Sequence, residues 1–311
     1  MNLLKDFDGS QDKSGQKLLL DFYGGIGDLL WRTCLVRELK KRNPKLYLGV
    51  MSRGPHWKLI FRNNPYIDEL VDEQPSKEFQ GDWSLYCSDS LCPHVVADYG
   101  KTMHCVDAIG YWAGIEITDK SYDYEVTEDE RKWAREFLSK FKPKTIVGFG
   151  IKGSSWVRRW DPLQVLRLTK LLCHNDYHVI LFDDRPIPWT HKNLSLMAGG
   201  YNVRELAAII ESVDYVITCD TGSMHFAGAF RKPTIAIFCG TSPELRSSHY
   251  PTVYAMVPNK EKYPCWPCFQ HAASCGKGLP VPCAMYWKAE DVFLKLIEVE
   301  NAELRKSKIK V

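Results

Sequence analysis

Apolar residues fall along this chain in short unbroken runs separated by stretches of helical period, an alternation that predicts parallel α/β structure twice over. Residues 17–23, Lys-Leu-Leu-Leu-Asp-Phe-Tyr, read as a strand covered on both faces. Gly24-Gly25-Ile26-Gly27 then predicts a tight turn. Residues 28–42 carry Leu29, Leu30, Thr33, Val36, Arg37 and Leu39 in near-helical register and stop short of Pro44. A strand at 46–51, a short helix at 55–61 and a strand near 67–71 complete a first βαβ series. The stretch 74–103 is rich in Ser, Pro and Asp and predicts loops and short strands; helices follow at 104–113 and 128–140. After the linker-like Phe141-Lys142-Pro143-Lys144 the alternation restarts. It predicts strands at 145–149, 178–182, 215–218 and 234–238 and helices at 163–173, 204–211 and 222–230. A long amphipathic stretch, 289–305, either closes the second lobe or crosses back onto the first. The expected fold class is therefore α/β, with two Rossmann-like lobes whose parallel sheets face a cleft. The expected organisation is a lobe at 1–142, a second lobe at 143–288 and a final helix at 289–311.

Two strand-to-helix junctions carry candidate chemistry. At Cys219-Asp220-Thr221-Gly222-Ser223-Met224-His225, small residues open a helix directly after a β-branched strand. The free N–H groups and dipole of such a helix start favour an anion such as a diphosphate. The alternative reading is an ordinary capped helix, with Asp220 or Thr221 as the cap. At the first glycine turn, Leu30 occupies the third glycine position of a dinucleotide fingerprint and no acid ends the second strand, so that fingerprint fails. Arg53 leaves an NADP-dependent oxidoreductase as an alternative. The turn does supply Asp28, either an acid complementing the helix dipole or a general base for an attacking hydroxyl.

Composition narrows the function classes. The net charge of +3 arises from 41 basic and 38 acidic residues, so charge balance indicates no nucleic-acid partner. No apolar run is long enough to span a bilayer, and the first residues turn acidic too early for a secretory signal, which gives the expectation of a cytoplasmic protein. Of the eleven cysteines, Cys34, Cys105, Cys173 and Cys219 lie in apolar surroundings and read as reduced core residues. Cys265-Trp266-Pro267-Cys268, with Cys275 and Cys283, forms a CxxC followed by two further thiols in a Pro- and Gly-rich stretch. Four such thiolates suit a closed tetrahedral structural site, as for zinc; reduced thiols or a disulfide are the alternatives.

Three segments together resemble glycosyltransferase family 9, the heptosyltransferase-like enzymes of GT-B architecture. The first is Gly24 to Leu30 with Thr33, Leu35, Arg37 and Leu39-Lys40. The second is Val147 to Gly150 with Ser154 to Pro162. The third is Asp220 to His225 with Ala227, Ala229, Lys232-Pro233-Thr234, Phe238, Gly240 and Thr241. The resemblance implies Asp28 as catalytic base and Asp220, Thr221, Gly222 and His225 as the donor-diphosphate and sugar segment. It implies Arg158, with Arg159 beside it, where the family usually has a phosphate-binding lysine, Tyr201 near the nucleobase and Asp183 or Asp184 near the ribose. This chain departs from the family pattern by inserting Asp161 between Trp160 and Pro162.

The implied chemistry is inverting transfer of a sugar, heptose by resemblance, from a nucleoside-diphosphate donor without a catalytic metal. Relatives that modify autotransporters use a cysteine finger to bind iron. A glycan, a lipid-linked sugar or a protein side chain is the expected acceptor, contacted through 74–103, and a homo-oligomer is compatible with the chain. The competing function is a catalytically idle nucleotide-binding scaffold.

Overall fold

The computed structural model describes residues 4–52, 56–72, 83–88, 101–150, 156–182, 187–197, 202–268, 275–277 and 281–309. The chain divides into two compact units, one of residues 1–126 with 244–249, the other of residues 127–243 with 250–311.

The first unit is built on a parallel sheet ordered β3-β2-β1-β4 among the described residues, with β1 (Lys17–Phe22), β2 (Tyr47–Ser52), β3 (Glu69–Leu70) and β4 (Leu85–Ser88). β1 pairs in register with β2 from Lys17↔Tyr47 and with β4 from Leu18↔Leu85. Leu18, Leu19, Leu20 and Phe22 are fully buried, as the unbroken apolar run requires of a strand covered on both faces. Helix α1 (Ile26–Arg42) starts two residues earlier than its hydrophobic period suggests, because Gly25 serves as its N-cap. It is flanked by the short α2 (Trp57–Phe61) and by α3 (Cys105–Ala113). Arg37, within α1, is buried, its guanidinium held by the Ser121 carbonyl at 2.7 Å and the Asp123 carboxylate at 2.6 Å.

The second unit holds a six-stranded parallel sheet ordered β10-β9-β8-β5-β6-β7. Its strands are β5 (Ile146–Gly150), β6 (His178–Leu181), β7 (Leu194–Leu196), β8 (Tyr215–Cys219), β9 (Thr234–Ile237) and β10 (Val253–Met256). Around it lie α4 (Glu128–Ser139), α5 (Pro162–His174), α6 (Val203–Ser212), α7 (Gly222–Ala229) and α9 (Ala289–Ile309). α9 belongs to this unit: Ala289, Val292, Leu296 and Val299 are buried in one cluster with Val147, Phe149, Trp160, Leu168 and Ile217. The inserted Asp161 caps α5, its side chain accepting from Leu163 N at 2.9 Å, with Pro162 in the first turn where no N–H is needed.

The turn α8 (Pro243–Arg246) leads a short excursion of the chain, 244–249, that packs in the first unit. There the Arg246 guanidinium lies 5.8 Å over the Trp31 ring, and His249 meets His104 edge-on at 4.2 Å.

In both units the chain winds outward from one central strand and then returns to pair on that strand's other side. The first runs β1-β2-β3 and then places β4 beside β1; the second runs β5-β6-β7 and then places β8 beside β5. Such reversals open a crevice beyond the carboxyl ends of the two central strands, where ligands of open α/β sheets collect.

Candidate functional site

Asp28 stands just beyond the reversal point of the first sheet, in the first turn of α1. β1 ends at Phe22, and the chain turns through Gly24, whose φ of +138° lies in a region that side-chain-bearing residues avoid. Asp28 then reaches back, Oδ2 accepting the Gly25 N–H at 2.8 Å. The carboxylate is half-buried, and its other oxygen accepts no hydrogen bond among the described residues. It is thus aimed by the helix start while one oxygen is open to take a proton. Asp21, inside β1, is a different kind of acid: it is buried and accepts from Tyr86 Oη at 2.7 Å and Ser88 Oγ at 3.0 Å, tying β1 to β4.

The larger constellation lies at the reversal point of the second sheet, where β5 and β8 end. Thr221 is the N-cap of α7 in backbone geometry, yet its side chain caps nothing; its Oγ1 lies 3.1 Å from Thr218 Oγ1 instead. Met224 N and His225 N turn back to the Thr221 carbonyl, while the amides of Gly222 and Ser223 have no partner among the described residues. Thr221 is thus the cap by backbone position alone, without a side-chain bond, and two donors stand open at a helix N-terminus.

Asp220, just before this helix start, is buried. It is 3% exposed and accepts from Thr241 Oγ1 at 2.7 Å, while Arg158 Nη1 lies 3.7 Å from its carboxylate and 3.4 Å from its carbonyl. Arg158 ends a turn of 3₁₀ helix (Trp156–Arg158) after β5, so the Asp220 charge draws that cation to the end of β8. His225, one turn into α7, is buried with Nε2 3.9 Å from Asp220 and Nδ1 3.0 Å from the Tyr250 hydroxyl.

The structure thus brings Arg158, Asp220, Thr221, Gly222 and His225 together, with half-buried Arg159 adjoining Arg158. Asp28 stands in the other unit. Asp183, Asp184, Tyr201 and Arg53 lie outside the described residues, as does most of 74–103. Three members of the constellation had no assigned role from sequence: Ser223, Thr241 and Tyr250. Ser223 had a signal in the glycine that ends β5, since a Cβ on Gly150 would lie 3.0 Å from Ser223 Oγ. Thr241 lies in the family-like segment, though nothing local to it pointed to Asp220.

The late cysteines adjoin the same end of the second sheet. Cys283 Sγ lies 3.1 Å from the Cys239 carbonyl and Cys268 Sγ 3.8 Å from that of Gly240, the two residues before Thr241. Burial, then the neighbouring thiols of Cys268, Cys275 and Cys265, push the Cys283 thiol up to about 11. The four share one neighbourhood, although among the described residues no three His, Cys, Asp or Glu side chains are gathered as ligands of an ion. Cys34, Cys105, Cys173 and Cys219 are buried and outside any disulfide, as their apolar surroundings predict.

Comparison with known proteins agrees with this architecture. Residues 89–277 match the family model of glycosyltransferase family 9 (heptosyltransferase). Lipooligosaccharide heptosyltransferase 2 of Haemophilus influenzae is 30% identical over 130 residues, which is 35% of this chain and 37% of that protein. Among solved structures, the family 9 glycosyl transferase of Veillonella parvula superposes with a TM-score of 0.68 at 15% identity, covering 94% of this chain and 99% of that one. The iron-containing dodecameric glycosyltransferase TibC of enterotoxigenic E. coli H10407 superposes with a TM-score of 0.70 at 14% identity, covering 94% and 80%. TibC has also been solved in complex with ADP-D-β-D-heptose. At these identities the superpositions establish a shared fold, and no helix among the described residues is long and apolar enough to cross a membrane.

Proposed function

The chain belongs to glycosyltransferase family 9, and from that premise we propose that it is an inverting glycosyltransferase moving a sugar from a nucleoside-diphosphate donor to an acceptor hydroxyl. The observation that carries this reading is the open start of α7, where the Gly222 and Ser223 amides stand unpartnered beside Arg158 at the reversal point of the second sheet. A diphosphate is the ligand such a place suits, since its charge meets two backbone donors, a helix dipole and a guanidinium.

The chemistry is a single displacement. Asp28 takes the proton of the acceptor hydroxyl on its open oxygen as that hydroxyl attacks the anomeric carbon, and the bond from that carbon to the diphosphate oxygen breaks from the opposite face. Negative charge grows on the departing diphosphate, where each preorganised donor contributes about 3 kcal/mol to the transition state. Asp220, buried and bonded to Thr241, acts by holding Arg158 and His225 rather than by touching an anion.

Similarity to a lipooligosaccharide heptosyltransferase, and to a protein solved with ADP-D-β-D-heptose, supports an ADP-linked heptose as the donor. The acceptor is a glycan, a lipid-linked sugar or a protein side chain. A nucleotide-sugar donor supports a cytoplasmic reaction, and the dodecameric state of TibC supports a homo-oligomer. The shared neighbourhood of Cys265, Cys268, Cys275 and Cys283 supports a structural zinc or iron there.

Two measurements test the reading. Thermal unfolding with ADP, UDP, GDP and their sugars shows a selective shift with the ADP series, because a ligand of the native state raises stability by mass action. Asp28→Asn keeps an oxygen for the Gly25 cap, so it folds and binds donor but loses transfer by about a hundredfold or more. Full turnover in that variant removes Asp28 as the base, and no shift with any nucleotide removes the donor site.

A further inference from the structure

Tyr250 lies beyond the three motif segments, the last of which ends at Thr241, and its ring is fitted to α7. It is 5% exposed and sits in the cleft left by a missing side chain: a Cβ on Gly228 would lie 2.5 Å from the Tyr250 ring. From there the hydroxyl reaches back along the helix to His225 Nδ1 at 3.0 Å, with the two rings 72° apart. The other ring nitrogen, Nε2, faces Asp220 Oδ1 at 3.9 Å, too far for a direct hydrogen bond but close enough to feel the carboxylate.

A neutral imidazole carries one proton, and the group bonded to one nitrogen decides where it sits. Two features here act in the same direction. A phenol donates readily to an unprotonated ring nitrogen, which leaves Nδ1 as acceptor. The carboxylate beyond Nε2 favours an N–H on that side, and it belongs to Asp220, which directly precedes the Thr221 cap of α7.

We infer that Tyr250 is a positioning residue of the donor site: its hydroxyl donates to His225 Nδ1, holds the imidazole in its Nε2–H form and turns that N–H toward the donor beside Asp220. The inference rests on the glycosyltransferase reading for the identity of the ligand, though not for the state of the imidazole. Ring orientation comes from the Gly228 cleft and proton placement from the hydroxyl, so removing the hydroxyl alone separates the two.

The test is Tyr250→Phe, which keeps the ring in its cleft and removes one oxygen. Nitrogen-15 spectra of His225 in ligand-free protein, taken above the ordinary histidine range, show the Nε2–H form in the parent and a mixture of forms in the variant. The donor KM rises about fivefold to tenfold, the scale of one lost hydrogen bond, with a smaller change in kcat. In a His225→Gln background, where the amide keeps a donor near the Nε2 position and the tautomer choice is gone, Tyr250→Phe produces no further change in KM. A parent protein in the Nδ1–H form overturns the inference, as does an unaltered donor KM in Tyr250→Phe or full additivity in the double variant. Failure of the functional reading is seen separately, as the absence of any ADP-sugar effect on the parent protein.

Discussion

Gly24 and Asp28 are in contact across the first turn: a Cβ on Gly24 would lie 2.4 Å from the Asp28 Cβ and 2.8 Å from its Oδ2. The glycine is required twice, by its φ of +138° and by the carboxylate folded over it. Gly24→Ala therefore displaces Asp28 before it disturbs anything else. Turnover is expected to fall about a hundredfold, the scale of a base moved by an ångström, while the thermal shift with donor persists. Unchanged kcat would mean that the position of Asp28 does not matter to the reaction.

Thr241→Val removes the hydroxyl that bonds Asp220 at 2.7 Å and leaves a carboxylate oxygen buried without it. The expected cost in stability is about 2 to 4 kcal/mol, read as a lower denaturant midpoint. Arg158 is anchored on the same carboxylate, so donor affinity weakens as well. A stability loss with donor affinity intact would show that Asp220 serves the fold alone.

His178 gives the second unit a pH response. Its ring is buried, stacked on Phe141 with centroids 3.7 Å apart and hydrogen-bonded to Ser195 Oγ at 2.9 Å. Burial, with a smaller push from Lys144, lowers its pKa to about 4. The folded state keeps the ring neutral, whereas the unfolded chain takes up a proton near pH 6.5. Stability present above 6.5 is therefore lost as the pH falls from there toward 4, by about 3 kcal/mol from this residue. Denaturant midpoints measured across that range decline in the parent and decline less in His178→Gln.

The late cysteines make a prediction about composition. Protein purified without chelator is expected to carry about one zinc or iron per chain, and a double Cys265→Ser, Cys268→Ser variant to lose it. Binding releases protons, because the Cys283 thiol pushed up to about 11 must ionise to become a ligand, so affinity rises with pH. Substoichiometric metal in the parent rejects the site.

What the sequence revealed divides along the range of the interactions involved. The central strands β1, β5 and β8 were legible because strands buried on both faces are unbroken apolar runs. α5 was legible in its apolar period, though the capping role of Asp161 was not recognised. The edge strands β7 and β10 were not foreseen: Leu194–Leu196 and Val253–Met256 are three and four residues long and only partly covered, so neither run nor alternation marks them. At the site, the α7 helix start was legible as a local pattern of small residues. The Thr241 and Tyr250 hydroxyls were not, since they reach partners 21 and 25 residues away in sequence and appear only when the strands are side by side. Arg37 falls in the helical register of the buried face, but its partners Ser121 and Asp123, 84 and 86 residues further on, had no local signal.

Residues 244–249 leave the second unit between β9 and β10, deliver Arg246 to Trp31 and His249 to His104 and Tyr122 in the first, and go back. A fragment ended at Val126 would lack those two side chains and bare the aromatic surface they cover. The molecule is therefore not divisible by a single break. A chimera that exchanges one half with a relative must carry this six-residue insert along with the amino-terminal piece, through three junctions rather than one.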